Sequence, residues 1–198
     1  MSSHAENTRQ AILKSAIETF SRKGYAGTSV QDILQTAKLS KPTLYYYFEN
    51  KAGLFRAILD FAYDESMKLI QAGIAGKTSC EDQLVAAAAA MFEFAVKNEE
   101  LVRLVFSTVF STPDEIPACC VNPTMRRCHL EQVREIIVAG QRNGELDGTY
   151  AATDLTHAIF GALSHHIRFH LLSGKGKLDR KLAERVVKIY LNGAKKRK

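Results

Sequence analysis

The stretch GYAGTSVQDILQTAKLSKPTLYYYFENKAGLFRAIL, Gly24 to Leu59, decides the fold. Thr28 or Ser29 supplies a helix N-cap, and Gln31 or Asp32, three residues on, completes a capping box in either register. Val30, Ile33 and Leu34 form the apolar side of that short helix. Ala37-Lys38-Leu39 makes a turn, Ser40 caps again, and Pro42 lies in the first turn, where its missing N–H does no harm. Leu44 and Phe48, four apart, face inward and leave Lys41, Thr43, Tyr45, Tyr46 and Tyr47 on or near the outside. Two short helices joined by a tight turn, the second rich in hydrogen-bonding groups, describe a helix-turn-helix.

The periodicity around this motif is helical as well. Ile12, Leu13, Ala16, Ile17 and Phe20 make an apolar stripe that Gly24 stops. Leu54, Phe55, Ile58, Leu59 and Ala62 begin a helix, capped by Asn50, that reaches about Ala75. Ser79, with Asp82 three residues on, opens a helix carrying Leu84, Ala88, Met91, Phe92 and Ala95. Leu101 to Phe110 reads as another helix before Pro113 and Pro117 break the pattern. Asn122-Pro123 starts a helix ending at Asn143-Gly144. Two more cover 151–173, closed by Gly174, and 179–192, closed by Gly193. No segment alternates with β-branched enrichment, so the chain is expected to be all-α with about nine helices.

Composition excludes several classes. With 46% hydrophobic and 24% charged residues over 198 positions, the chain is neither disordered nor fibrous. The longest apolar run, Leu84–Phe92, is under half of the ~20 residues of a membrane span. The N-terminus shows no apolar h-region, and four cysteines form no disulfide framework, so a cytoplasmic setting is expected. The formal charge of +6 is unevenly placed. Residues 1–55 carry +3, the final Lys195, Lys196, Arg197 and Lys198 add +4, and the middle is −1. A polyanion partner fits the N-terminal end, whereas the basic tail reads as a solvated end.

The pattern Thr28-Ser29-Val30-x-x-Ile33, then Ser40-Lys41-x-Thr43-Leu44-Tyr45-x-x-Phe48, then Lys51 and Leu54 closely resembles the DNA-binding region of tetracycline-repressor-type (TetR family) regulators. With the first helix, the resemblance covers roughly the first third of the chain; the rest matches only in helix number and spacing. One departure is Lys38, where the family usually has Gly: a conserved turn requires φ > 0 there, costing about 1 kcal/mol. The resemblance implies a helix-turn-helix domain over residues 1–50 and an effector-binding and dimerisation domain over 51–198. It implies backbone phosphates at Thr28 or Ser29, Thr43, Tyr46 and Lys51, with Tyr47 left open. Lys41 would read guanine in the major groove, Pro42 and Tyr45 would meet thymine methyls, and Gln31 would reach a base edge.

Members of the family are homodimers, paired through their last two helices. In this sequence Ala158, Ala162, Leu163, Ile167 and Leu171, with Leu182, Val186, Val187 and Tyr190, are the candidates. Interface and intrasubunit core are not separable from the sequence. The family's middle helices enclose a small effector, and Met91, Phe92, Phe94, Phe106, Phe110, His129, Phe160, His165 and His166 are candidate lining for an apolar or aromatic one.

No metal or cofactor is expected. Cys119-Cys120 and Cys128-His129 lack chelating spacing, and adjacent cysteines rarely share one tetrahedral ion. His166 and His170 stand four apart without a third ligand. No GxSxG, HExxH, P-loop or dinucleotide motif points to an enzyme. The expected function is a DNA-binding transcriptional regulator, a repressor released from a pseudo-palindromic operator by a small molecule. The alternative is a helical ligand-binding or thiol-redox-responsive protein without DNA binding.

Overall fold

The computed structural model describes residues 3–194, so the basic tail of Lys195, Lys196, Arg197 and Lys198 lies outside the described residues. Among them are nine α-helices and one 3-10 turn, without a strand. In chain order these are α1 (Ser3–Lys23), α2 (Val30–Ala37), α3 (Lys41–Tyr47), α4 (Lys51–Ile74), α5 (Cys80–Lys97) and α6 (Glu99–Ser107). The 3-10 turn Ala118–Cys120 follows, then α7 (Pro123–Arg142), α8 (Ala152–Ser173) and α9 (Arg180–Ala194).

Local chemistry sets the ends. Gly24 takes φ 69° and its N–H closes α1 on the Phe20 carbonyl at 2.8 Å. Asn50 Oδ1 accepts from the Gly53 N–H at 2.8 Å, and Asn122 Oδ1 from the Thr124 N–H at 3.1 Å. Two expected ends move. α6 stops at Ser107, three residues before Phe110, because the Thr108 N–H turns to the Val105 carbonyl at 3.2 Å. α9 runs through Gly193 to Ala194, so that glycine does not close it.

The chain divides into two compact units: residues 3–62 with Glu99–Met125, and Tyr63–Asn98 with residues 126–194. This division by contact differs from the division by role at residue 50. α4 begins in one unit and ends in the other.

In the first unit, Ile12, Ala16 and Phe20 of α1 are fully buried with Ile33, Leu44, Leu54, Phe55 and Ile58. Phe20, Tyr25 and Phe55 form an aromatic cluster, Phe20 edge-on to Phe55 at 4.9 Å and Tyr25 to Phe55 at 5.0 Å. Leu101 and Leu104 of α6 join this unit, which packs α6 on α1. Val30, expected inside, is half-buried.

In the second unit α5 packs on α8 and α9 and buries Leu84 to Ala88, Ala90 to Phe92, Phe94 and Ala95, its alanines allowing helices on several sides. Its start is fixed by α7 and by the turn that follows it. The Cys80 N–H donates to the Glu145 carboxylate at 2.8 Å, and Gly140 lies so close to Cys80 that a Cβ there would stand 2.7 Å from Sγ. Burial pushes the Cys80 thiol up to about 12.

Candidate nucleic-acid interface

The structure selects Ser29, not Thr28, as the cap of α2. Ser29 Oγ accepts from the Asp32 N–H at 3.1 Å, while Asp32 Oδ2 accepts from the Ser29 N–H at 2.8 Å. The box is reinforced by Lys23, whose ammonium meets Asp32 at 2.7 Å; hydrogen bonds from Lys23 and Ser29 hold the Asp32 carboxyl well below the usual range. The Thr28 hydroxyl donates to the Gly24 carbonyl at 2.7 Å in a buried position. Thr28 thus ties the turn together and offers no side-chain donor to a phosphate, correcting that expectation.

The turn then needs a left-handed residue, and Lys38 supplies it at φ 54° and ψ 40°. It is the one non-glycine residue at positive φ among those described. Beyond it Ser40 caps α3, with Oγ 2.7 Å from Thr43 Oγ1 and accepting from the Thr43 N–H at 3.3 Å. Leu44 and Phe48 anchor α3 inward. The opposite side presents Lys41, Pro42, Tyr45 and Tyr46 to solvent, Tyr46 at 80% exposure. The Lys41 ammonium lies 5.9 Å from the Tyr45 ring centroid, and Tyr46 meets Tyr47 edge-on at 5.0 Å. Thr43 and Tyr47 are half-buried; Ser29 and Gln31 are exposed at the start of α2.

Lys51 sits differently from the expectation of a free phosphate contact. Its ammonium donates to the carbonyls of Tyr25 and Thr28, both at 3.0 Å, and lies 4.2 Å from the Tyr25 ring centroid. Two of its three donors serve the fold.

The candidate effector residues fall in both units. Phe106 and Phe110 belong to the first, and Phe110 is 83% exposed, so it lines no interior there. In the second unit Met91, Phe92 and Phe94 are buried on α5. The His166 ring meets Phe92 edge-on at 6.5 Å and His165 at 6.3 Å; Phe160 is half-buried and His165 exposed. His129 meets Tyr63 at 5.7 Å, and its buried Nε2 has no hydrogen-bond partner among the described residues. Desolvation pulls His129 down to about 4, so its imidazole is neutral at pH 7. A groove of 510 Å³ beside α5 and α9 is lined by charged side chains, including Glu81, Arg180 and Lys188, and by none of these aromatics.

The candidate interface residues also separate. Leu163, Ile167, Leu171, Val186 and Val187 are buried within the single chain, and Leu182 and Tyr190 are half-buried. Their burial is intrasubunit packing, which corrects their reading as a docking face. Of the candidates, exposed Ala158 and half-buried Ala162 do lie on the outward side of α8, with Gly161, His165, Phe169 and Leu172, and α9 exposes Ile189. Phe169, Leu172 and Ile189 escape a reading of the sequence because a buried stripe and an exposed apolar stripe share one amphipathic period; the i, i+3 step from Phe169 to Leu172 is a signal for those two alone.

A short capped helix that offers Lys, Pro and Tyr on a three-helix frame has the geometry of the second helix of a helix-turn-helix. Residues 12–58 match the family described as bacterial regulatory proteins, tetR family. That match covers the helix-turn-helix and the helices on either side of it, and the relatives it brings are named as helix-turn-helix transcriptional regulators. The chain is 28% identical over 113 residues to the transcriptional activator FasR of Mycolicibacterium smegmatis, covering 57% of this chain and 52% of that one. It is 37% identical over 90 residues to the repressor ComR of Escherichia coli, covering 46% and 41%. The chain thus spans about half or less of these two relatives' length. The fold matches the regulator FadR of Bacillus subtilis, solved with stearoyl-CoA, with TM-score 0.82 and 18% identity over 93% of this chain and 98% of that one. No helix among the described residues is long and apolar enough to cross a membrane.

Proposed function

We propose that the protein is a cytoplasmic homodimeric repressor that binds a pseudo-palindromic operator and leaves it when a small apolar or aromatic effector enters the second unit. The observation carrying the DNA half is the outward face of α3: Lys41, Pro42, Tyr45 and Tyr46 stand exposed on a helix pinned by Leu44 and Phe48. Lys41 reads guanine, Pro42 and Tyr45 meet thymine methyls, and Gln31 reaches a base edge from α2. Ser29, Thr43, Tyr46 and Tyr47 hold phosphates, and the third donor of Lys51 adds one. In this division residues 1–50 read DNA and 51–198 bind effector and partner.

Met91, Phe92, Phe94, Phe160 and His166 supply the apolar wall of the effector site, and neutral His129 supplies a polar anchor, its Nε2 being buried and unpartnered. The stearoyl-CoA bound by FadR supports a long apolar ligand as one candidate. α4 belongs to both units, so a shift of its second half in response to ligand reaches the helix-turn-helix along one rigid element. Operator and effector affinities are then linked reciprocally.

Fluorescence anisotropy with DNA from the protein's own upstream region, set against scrambled DNA, tests the reading. Preferential binding with a steep salt dependence is expected. Equal affinity for both DNAs across salt concentrations would overturn it.

A further inference from the structure

The 3-10 turn Ala118–Cys120 sets two thiols side by side in the helix-turn-helix unit, and the DNA reading uses neither. Cys119 is exposed and Cys120 fully buried. The turn is closed by the Cys120 N–H on the Pro117 carbonyl at 2.8 Å and the Val121 N–H on the Ala118 carbonyl at 3.2 Å. Buried Cys120 lies close enough to the Cys119 thiol and the Tyr25 hydroxyl for these groups to influence one another's ionisation. Tyr25 in turn stacks on Phe20 at 5.9 Å and carries the Lys51 ammonium over its ring. A contiguous path therefore runs from Cys119 through Cys120, Tyr25 and Lys51 to the Thr28 carbonyl, beside the cap of α2.

Reagent chemistry separates the ways such a pair can act. Neighbouring Cα atoms lie about 3.8 Å apart across a trans peptide, short of the ~4.4–6.8 Å that an unstrained disulfide spans. A monofunctional electrophile would take exposed Cys119 and leave Cys120 against Tyr25. A trivalent arsenical bonds to both sulfurs without joining them to each other, and it reaches Cys120 only by turning that side chain outward.

We propose that Cys119 and Cys120 form a dithiol site for a trivalent arsenical, whose capture withdraws Cys120 from Tyr25 and loosens the Lys51 clasp beside the DNA-reading helices. With phenylarsine oxide the step is balanced. Two As–S bonds form, two S–H bonds and the As=O bond break, both protons leave with that oxygen as one water, and arsenic stays trivalent. The second As–S bond closes within one molecule. Removing either thiol is therefore expected to weaken retention on the order of 100-fold. The capture does not depend on the regulator reading; only its consequence for DNA does.

The test uses the full chain and phenylarsine oxide. Intact-mass measurement is expected to show one phenylarsenic group per chain, retained through a monothiol wash and removed by dithiothreitol. Cys119→Ser and Cys120→Ala should each lose that retention, with circular dichroism confirming their fold, whereas Cys80→Ala and Cys128→Ser should keep it. Burial and the Cys120 contact push the Tyr25 phenol up to about 12. In the adduct, the ultraviolet titration difference between wild type and Tyr25→Phe should move down toward about 10. Wild-type retention in either Cys119→Ser or Cys120→Ala overturns the site, and an unmoved Tyr25 titration overturns the link to Tyr25. Untreated protein that ignores its operator counts against the regulator reading, while the mass measurement still decides the dithiol site.

Discussion

Lys51 clasps Tyr25. Its ammonium lies 4.2 Å from the ring centroid while donating to the Tyr25 carbonyl at 3.0 Å, with the Thr28 carbonyl at the same distance. The contact ties the first residue of α4 to the loop between α1 and α2, across 26 residues of sequence. A charge-assisted hydrogen bond to a half-buried carbonyl and a cation–π contact each contribute about 1–2 kcal/mol.

Lys51→Ala should therefore lower the free energy of unfolding by about 2–3 kcal/mol in urea titrations, because it strands two carbonyls. Lys51→Arg should restore only part of this, since a planar guanidinium fits two converging carbonyls over a ring poorly. An unchanged urea midpoint in Lys51→Ala, with weakened operator binding, would show that its work is on phosphate alone.

On α3 the expectation reverses. Lys41→Ala and Tyr45→Ala alter outward groups, so each should leave stability within about 0.5 kcal/mol. Each should cost about 1–3 kcal/mol of operator affinity and relax sequence preference. Anisotropy on operator and single-base variants measures both. A drop confined to thermal stability, with discrimination intact, would reassign these side chains to packing.

The helix-turn-helix was legible in sequence because its signals are local: a cap, a box partner three residues on, and inward residues at i and i+4. The strained turn at Lys38, φ 54°, was legible only through the resemblance to a family that usually has Gly at that position. Local signals failed where a side chain had two uses. Thr28 and Lys51 carry the right groups for phosphate, yet they spend them on Gly24, Tyr25 and Thr28 carbonyls, partners that no spacing rule connects. Val187 and Ile189 are both apolar and two apart on α9, and only packing shows that one faces in and the other out. The same limit applies to Phe92 and Phe110, identical in type but buried on α5 and exposed after α6, respectively.

His129 makes stability depend on pH. Its folded value is about 4 against an ordinary 6.5, so between these limits the unfolded chain binds more protons. Stability should consequently be full above about pH 6.5 and fall as pH drops toward 4, by up to about 3 kcal/mol. His129→Phe should flatten this part of the profile. Urea midpoints at intervals from pH 7 to 4 decide it; equal slopes in both proteins would show that the imidazole is hydrated in the folded state.

Gly140 should tolerate no side chain. A Cβ there would lie 2.7 Å from Cys80 Sγ and 3.2 Å from Leu146 Cγ, so Gly140→Ala is expected to destabilise by about 1–3 kcal/mol despite alanine's better helix propensity. Adding Cys80→Ala removes the sulfur and should recover part of the loss, giving a non-additive cycle. Additive effects of the two changes would mean that the backbone, not the sulfur, resists the methyl group.

Gly161 is the converse case and tests the assembly. In the single chain a Cβ at Gly161 meets nothing within 4 Å, so helix propensity alone favours Gly161→Ala by about 1 kcal/mol. Gly161 lies on the outward line of α8 with Ala158 and Ala162, small residues that let another helix approach closely, and with the exposed Phe169. If a second copy packs there, the added methyl meets its backbone. Sedimentation equilibrium should then show dimer dissociation strengthened about tenfold or more, a cost of about 1.4 kcal/mol, while the monomer gains stability. Leu172, at 85% exposure, allows a stronger form of the experiment. Leu172→Glu with Phe169→Glu should give folded monomers with little specific operator affinity, because two half-sites about 34–36 Å apart need two linked recognition helices. Dimers of unchanged affinity in that double variant would place the two-fold axis on another face.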